Sequence, residues 1–136
     1  MKPSNRRKFI ATSTALAMGT AASALPLSNN PADKYPVVHH VLFWLKNPGS
    51  KADRDKLIAG VKTLAKIPTV RELKVGVVAS TEKRDVVDNS WGVSELLFFS
   101  STADQKAYQD DPIHTKFVEE HSALWDKVIV YDAIEA

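Results

Sequence analysis

The chain from residue 37 onward alternates between short apolar runs and amphipathic stretches. Residues 37–46 are rich in β-branched and aromatic side chains, and a run this short favours a strand over a helix. Alternation places Val37, His39, Val41, Phe43 and Leu45 on one side of it and Val38, His40, Leu42 and Trp44 on the other. Because neither side is suited to water, we expect both sides of this strand to be covered.

The rest of this region predicts two helical regions and three further strands. Ser50, with Asp53 three residues later, is a candidate N-cap for a helix that ends before Pro68. Residues 70–80 and 91–99 have the pattern of two antiparallel strands joined by a polar loop, residues 81–90. A second helical region capped by Thr102 is interrupted at Pro112, and residues 127–134 form a closing strand.

This order of elements, β-α-β-β-α-β, predicts an α+β fold of the ferredoxin-like type. Right-handed crossovers place both helical regions on one face of a four-stranded sheet. The other face keeps its apolar side chains without a cover, and a large exposed apolar surface indicates a partner. The simplest partner is a second copy of the chain, which predicts a homodimer built as a dimeric α+β barrel.

The first 24 residues have the features of an export signal. Lys2, Arg6, Arg7 and Lys8 precede a mildly apolar stretch, residues 9–24, that is too short to span a membrane. The run from Asn5 to Ile10 resembles the twin-arginine motif. We therefore expect a signal peptide at 1–24, a proline-containing linker at 25–36 and one domain at 37–136, with the mature protein in the periplasm or secreted.

Charge and composition narrow the choice of partners. Removal of residues 1–24 leaves 14 basic and 16 acidic residues of the original 18 and 16, a net charge of −2. The remaining lysines are scattered among acids, which argues against nucleic-acid binding. The chain has no cysteine, which excludes disulfides and thiol chemistry, and we expect no stable membrane insertion after signal cleavage.

Several segments together resemble the stress-responsive A/B barrel (Dabb) family over most of residues 37–132. They are residues 39–46, Ile67-Pro68 with Gly76, residues 108–114, and residues 125–132. The family includes a plant polyketide cyclase that needs no cofactor. The resemblance implies catalytic roles for Tyr108 and His114 and a ligand contact at His39, and Val93 stands where the cyclase has another histidine.

The chemistry implied for this pair is reasonable for the residue types. A neutral imidazole accepts a proton at physiological pH, and a phenol donates a hydrogen bond to a developing oxyanion. On one continuous helix, six residues rotate Tyr108 and His114 about 240° apart, so the break at Pro112 is needed to bring them together. As alternatives, His114 is a helix cap, and Tyr108 is a residue at the core edge whose hydroxyl reaches water.

Other candidate residues have both a functional and a structural interpretation. We take His39, Trp91 and Val93 as candidate ligand contacts. One of His39 and His40 faces the helices, and a structural hydrogen bond is an alternative role for either. Trp91, like Trp44 and Trp125, is also typical of a core or dimer contact. His114 and His121 are separated by about 10 Å of helical rise, too far for one metal ion, so we expect no metal and no cofactor.

Three functions remain open from the sequence. The first is an exported dimer that binds a small apolar or aromatic molecule, with acid/base catalysis as an addition. The second is a stress-protective or interaction protein without catalysis. The third is a polyketide-cyclase-like or monooxygenase-like enzyme. No phosphate-binding loop or serine nucleophile motif occurs, which disfavours phosphoryl transfer and serine hydrolysis.

Overall fold

A computed structural model describes residues 35–136, so the predicted signal peptide and residues 25–34 of the predicted linker lie outside it. Its elements are β1 (Val37–Leu45), α1 (Lys51–Thr63), β2 (Glu72–Gly76), β3 (Val93–Phe99), α2 (Thr102–Asp110), α3 (Pro112–His121) and β4 (Trp125–Ile134). Short 3-10 turns, Leu64–Lys66 and Ser122–Leu124, follow α1 and α3. The ferredoxin-like order is confirmed, with the second helical region divided into α2 and α3. No helix within residues 35–136 has the length and apolar character needed to cross a bilayer.

The four strands form one antiparallel sheet in the order β2-β3-β1-β4. β1 lies in the interior of the sheet, where His39 pairs with Leu97 of β3 and Asp132 of β4. Two residues further on, Val41 pairs with Glu95. Because paired residues of an antiparallel ladder point to the same side, these side chains share one face of the sheet.

The face that carries His39 packs against the helices. Residues of β1 alternate between buried and partly exposed, and the buried set is the one that begins with Val37 and includes His39. The core joins this face to α1, α2 and α3, with members Val37, Val41, Phe43, Leu45, Leu57, Val61, Leu64, Ile67, Val93, Leu97, Phe99, Tyr108 and Phe117. Complete burial of each such apolar side chain stabilises the fold by about 1.5–3 kcal/mol.

The helix starts follow the expected capping chemistry. The Ser50 side chain accepts a hydrogen bond from the Asp53 amide at 3.1 Å, which confirms the predicted cap of α1. For α2 the prediction was wrong by one residue, because Ser101, not Thr102, caps the helix by accepting from the Asp104 amide. α3 begins at Pro112, whose missing N–H leaves no unsatisfied donor at the first helical position.

The strand predicted at residues 70–80 is shorter in the structure. β2 ends at Gly76, which pairs with Ser94, and β3 begins only one residue before that, at Val93. The ladder between β2 and β3 ends at the pair Gly76 and Ser94, and the residues after Gly76 are not strand despite their apolar character. Val77 and Val78 are instead exposed in the connection between β2 and β3.

A close contact between α1 and α3 fixes the position of α3. Gly60 of α1 faces the ring of His121, and a Cβ atom at position 60 would overlap the His121 ring. The ring has little freedom to move, because it stacks on Phe117 at 5.1 Å and its Nδ1 donates to the Phe117 carbonyl at 2.9 Å. Glycine at position 60 therefore permits the helix spacing that places α3 over the sheet.

Candidate functional site

A cavity of about 350 Å³ lies between the helix-facing side of the sheet and α2 and α3. We call it the helix-side cavity. Its polar lining comes from His39, Glu95, Tyr108, Gln109, His114 and Ser122. Its apolar lining comes from Val41, Phe43, Phe117, Val118, Trp125, Val128 and Val130. The cavity thus combines a mainly apolar wall with a small set of titratable groups, as ligand-binding pockets commonly do.

The interruption between α2 and α3 brings Tyr108 and His114 together. Tyr108 lies near the end of α2 and His114 in the first turn of α3, and their ring centroids are 4.8 Å apart. The prediction that the break at Pro112 reunites these side chains is confirmed. Capping of α3 belongs to Asp111, which accepts from the Ile113 amide at 2.8 Å, so His114 is not needed as a cap.

Tyr108 is bonded to a buried carboxyl group. Its hydroxyl donates to Glu95 Oε1 at 2.7 Å, and each residue is only 1% exposed. Burial raises the pKa of Glu95 to about 7, although the hydrogen bond from Tyr108 acts in the opposite direction. Burial, together with the Glu95 carboxylate, also raises the pKa of Tyr108. The phenol therefore remains protonated, and its hydroxyl is directed into the protein, not toward water as one alternative predicted.

His39 lies on the other side of Tyr108, with ring centroids 5.7 Å apart. Its Nδ1 donates to Asp132 Oδ1 at 2.5 Å, which fixes the ring and leaves Nε2 as the second polar atom. The neighbouring His40 points to the opposite face of the sheet and bonds to the Ser94 hydroxyl at 2.8 Å. Of the two histidines, only His39 lines the helix-side cavity.

The electrostatic environment favours the neutral form of His114. Burial and the nearby His39 lower the pKa of His114, and the backbone of Gln109 and the Asp111 carboxylate counter part of that effect. The imidazole is consequently uncharged at neutral pH. It has the protonation state that a general base requires.

Two of the predicted ligand contacts lie outside this cavity. Trp91 lines a separate cavity of about 230 Å³ with Trp44 and Arg54, and its indole N–H donates to the Asp88 carbonyl. Val93 is completely buried in the core, in register with Phe43. The structure therefore brings His39, Tyr108 and His114 together, without Trp91 or Val93.

Sequence reasoning missed Glu95 and Asp132. A signal for Glu95 was present, because it alternates with Val93 and Leu97 on the inward face of a strand, where an ionisable residue is rare. Asp132 gives no comparable signal, since its contact with His39 depends on the pairing of β1 with β4. Within residues 35–136 no cluster of three or more His, Cys, Asp or Glu side chains is arranged to hold a metal ion.

Comparisons with solved structures place this architecture among known proteins. The hydroxynitrile lyase from Passiflora edulis is 26% identical, with a TM-score of 0.62 over 74% of this chain and 93% of that chain. A Dabb family protein with a ferredoxin-like fold from Mesorhizobium loti is 20% identical, with a TM-score of 0.60 over 74% and 96% of the two chains. A dimeric protein of unknown function from Bacteroides fragilis is also 20% identical, with a TM-score of 0.57 over 72% and 94%. The last two likenesses concern the fold alone.

At the level of sequence, no curated protein gives a significant match. The model of the stress-responsive A/B barrel domain, by contrast, matches residues 37–135, which contain every strand and helix described above. The chain therefore belongs to the stress-responsive A/B barrel (Dabb) family.

Proposed function

We propose that this protein binds a small, uncharged apolar or aromatic compound in the helix-side cavity. It then removes a proton from the hydroxyl group of this compound or from a carbon next to its carbonyl group. The observation that carries the proposal is the convergence of His39, Glu95, Tyr108 and His114 on one cavity whose remaining wall is mostly apolar. These side chains supply both a base and hydrogen-bonding groups. The residues that bind the ligand are also the ones that act on it.

His114 is the proposed general base. Its lowered pKa keeps a ring nitrogen free to accept a proton from a hydroxyl group or from a carbon next to a carbonyl. The ring lies 4.8 Å from that of Tyr108, so one small molecule can contact both side chains. In this scheme His114 takes the proton, and the Tyr108 hydroxyl contacts the oxygen atom on which charge changes.

The lining of the cavity indicates an uncharged ligand of modest size. Among the described residues that line it there is no Lys or Arg, so a carboxylate or phosphate would enter without a cationic partner. Phe43, Phe117 and Trp125 form an aromatic group, with Phe117 and Trp125 stacked at 5.9 Å. A volume of about 350 Å³ is near the lower end for ligand pockets. A compound with one aromatic ring fits these features.

Two probe reactions test this proposal. The likeness to a hydroxynitrile lyase suggests mandelonitrile as the first probe. A base removes its hydroxyl proton while the bond to the nitrile carbon breaks. The products are benzaldehyde and cyanide, which is protonated to hydrogen cyanide. Acetophenone in D₂O tests removal of a proton from carbon, through exchange of its methyl hydrogens followed by NMR. For the reaction that the protein catalyses, His114→Gln should lower the rate by about 10²–10⁴-fold, the usual contribution of a general base.

His40→Gln is the matched control, because His40 lies on the same strand as His39 but faces away from the cavity. Turnover that survives in His40→Gln and is lost in His114→Gln would support the assignment. Equal rates in both variants would refute the role of His114. Binding of either probe without turnover in the unmodified protein would favour a binding protein without catalysis, the second function considered from the sequence.

We further propose that the protein is a homodimer formed through the outer face of the sheet, the face opposite the helices. The apolar side chains on this face come from β1, β3 and β4: Val38, Leu42, Trp44, Leu96, Phe98, Ile129, Tyr131 and Ala133. The polar side chains among them are His40, Ser94 and Lys127, and the edge strand β2 adds Glu72 and Lys74. All helices within residues 35–136 pack on the other face, so no helix of the described residues covers this apolar surface. Several proteins of similar fold are described as dimeric.

Export through the twin-arginine pathway also remains a proposal, supported by the sequence of residues 1–24. Replacement of both Arg6 and Arg7 by Lys should retain the precursor in the cytoplasm, because the pathway reads the arginine pair. Cell fractionation and mass determination of the N-terminus measure this. A processed protein starting near Leu25 in the periplasmic fraction of the double variant would contradict the proposal.

A further inference from the structure

Glu95 is a buried titratable group of the helix-side cavity, and the proposed function gives it no individual role. It projects from β3 into the space between the sheet and α2, and it is 1% exposed. Its neighbours along the sheet ladder are Val41 and Val75, which offer it no side-chain hydrogen bond. Among the described residues, the side-chain partner of Glu95 is Tyr108, whose hydroxyl donates to it at 2.7 Å.

The bond between Glu95 and Tyr108 has a direction, and the direction depends on a proton. A carboxylate only accepts hydrogen bonds, so beside ionised Glu95 the phenol must donate to it. Tyr108 then offers a ligand only the lone pairs of its oxygen. A protonated Glu95 is able to donate to the phenol oxygen instead, which frees the phenol hydrogen for the ligand.

We propose that Glu95 is a positioning residue that acts through Tyr108 and selects the ligand's functional group. With Glu95 ionised, Tyr108 accepts a hydrogen bond and the site prefers an alcohol. With Glu95 protonated, Tyr108 donates and the site prefers a carbonyl compound. This inference rests on the proposed function, since it assumes that the ligand oxygen meets Tyr108 in the helix-side cavity.

The surroundings of Glu95 allow this exchange to take place near neutral pH. Burial raises the pKa of its carboxyl to about 7. The titratable groups on the neighbouring elements are Tyr108 from α2, His114 from α3, and His39 from β1 with its partner Asp132 from β4. Tyr108 stays protonated throughout this range because its pKa is raised, and the pKa of His114 is lowered. The inference concerns the proton on Glu95, and the Glu95→Gln variant described below separates its effect from that of the other groups.

Two probes of nearly identical shape isolate the effect. Acetophenone carries a carbonyl group where 1-phenylethanol carries a hydroxyl group, and the dissociation constant of each is measured by NMR titration between pH 5.5 and 8.5. We expect the ratio of the two constants to move toward the alcohol as pH rises, with a midpoint near 7. The expected change is about five-fold, as for one ordinary net hydrogen bond.

Glu95→Gln is the decisive variant, because an amide of the same shape can bond to Tyr108 in either direction but does not titrate. In this variant the ratio should be independent of pH, while both probes still bind. Tyr108→Phe should also remove the pH dependence, because the group that relays the effect is gone. Persistence of the pH dependence in Glu95→Gln would overturn the inference.

The possible failures are distinguishable. If both probes bind but the ratio of their dissociation constants does not change with pH in the unmodified protein, the selection by Glu95 is refuted. The proposed binding site is then still supported. If neither probe binds at any pH, the proposed function is refuted, and the inference falls with it. The carboxyl signal of Glu95 in ¹³C-labelled protein, identified by its loss in Glu95→Gln, tests the titration directly, and the absence of a transition near pH 7 would also overturn the inference.

Discussion

Replacement of Glu95 by Gln should make the stability of this protein less dependent on pH. Glu95 is buried, and its pKa rises from 4.5 to about 7 on folding. Below pH 4.5 the carboxyl is protonated in both the folded and the unfolded chain. Between pH 4.5 and 7 the folded chain holds a proton that the unfolded chain has released, so the free energy of unfolding falls as pH rises. Above pH 7 the full cost of burying the charge is present.

The size of this effect follows from the pKa change. Each pKa unit corresponds to about 1.4 kcal/mol, so a rise from 4.5 to about 7 corresponds to about 3 kcal/mol of lost stability at high pH. Glu95→Gln has no such charge. We expect the variant to be close to the unmodified protein at pH 4.5 and more stable by about 3 kcal/mol at pH 8.5. With an ordinary denaturant slope, this moves the urea midpoint by about 1–3 M.

Urea unfolding of both proteins at the two pH values, at equal protomer concentration, measures the difference. The comparison between variant and unmodified protein cancels the titration of all other groups. Glu119→Gln serves as the control, since it is the same substitution at an exposed carboxylate on α3. A difference between Glu95→Gln and the unmodified protein that is equal at pH 4.5 and 8.5 would show that Glu95 is not buried as a titrating group.

Three further predictions concern other parts of the molecule. The rate of mandelonitrile cleavage at saturating substrate, where the affinity set by Glu95 has no influence, should decline on the acid side with a midpoint below pH 6.5. Burial lowers the pKa of His114 from that value, and protonation removes the base; a midpoint above 6.5 would contradict the role of His114. Gly60→Ala should lower the free energy of unfolding by about 1–3 kcal/mol, because the new methyl group overlaps the His121 ring, and an unchanged urea midpoint would show that the ring moves aside. Leu42→Glu should convert the dimer to monomer in analytical ultracentrifugation by placing a charge on the outer face of the sheet, whereas a dimer at micromolar concentration would place the interface elsewhere.

Much of the fold could be predicted because it follows from local patterns. Alternation along residues 37–45 was enough to place His39 and His40 on opposite faces of β1. Both faces are apolar, so the pattern did not show which of them packs on the helices. Ser50 was recognised as a cap because its hydrogen bond spans only three residues. Residues 77–80 were assigned to a strand on apolar character alone. Whether they pair depends on where β3 begins, and the local pattern does not contain that information.

The candidate site was predicted only as far as it depends on neighbours in sequence. Tyr108 and His114 are separated by one helix break, and the effect of Pro112 on the helix is a local rule. The contact of His39 with Asp132 joins residues 93 positions apart and requires the register of β1 against β4. Glu95 could have been identified from its inward position, but its partner Tyr108 could not, because that contact depends on how α2 packs on the sheet.

Because β4 lies at the edge of the sheet, the choice of ligands that the cavity binds can change without a change in folding stability. Val128 and Val130 line the helix-side cavity, yet they remain 43% and 44% exposed because the helices do not cover this edge. Substitutions there reshape the cavity without opening a void in the core. Most members of a laboratory library varied at these two positions should therefore fold. Relatives that differ there can bind new ligands while the core and the group formed by His39, Glu95, Tyr108 and His114 remain unchanged.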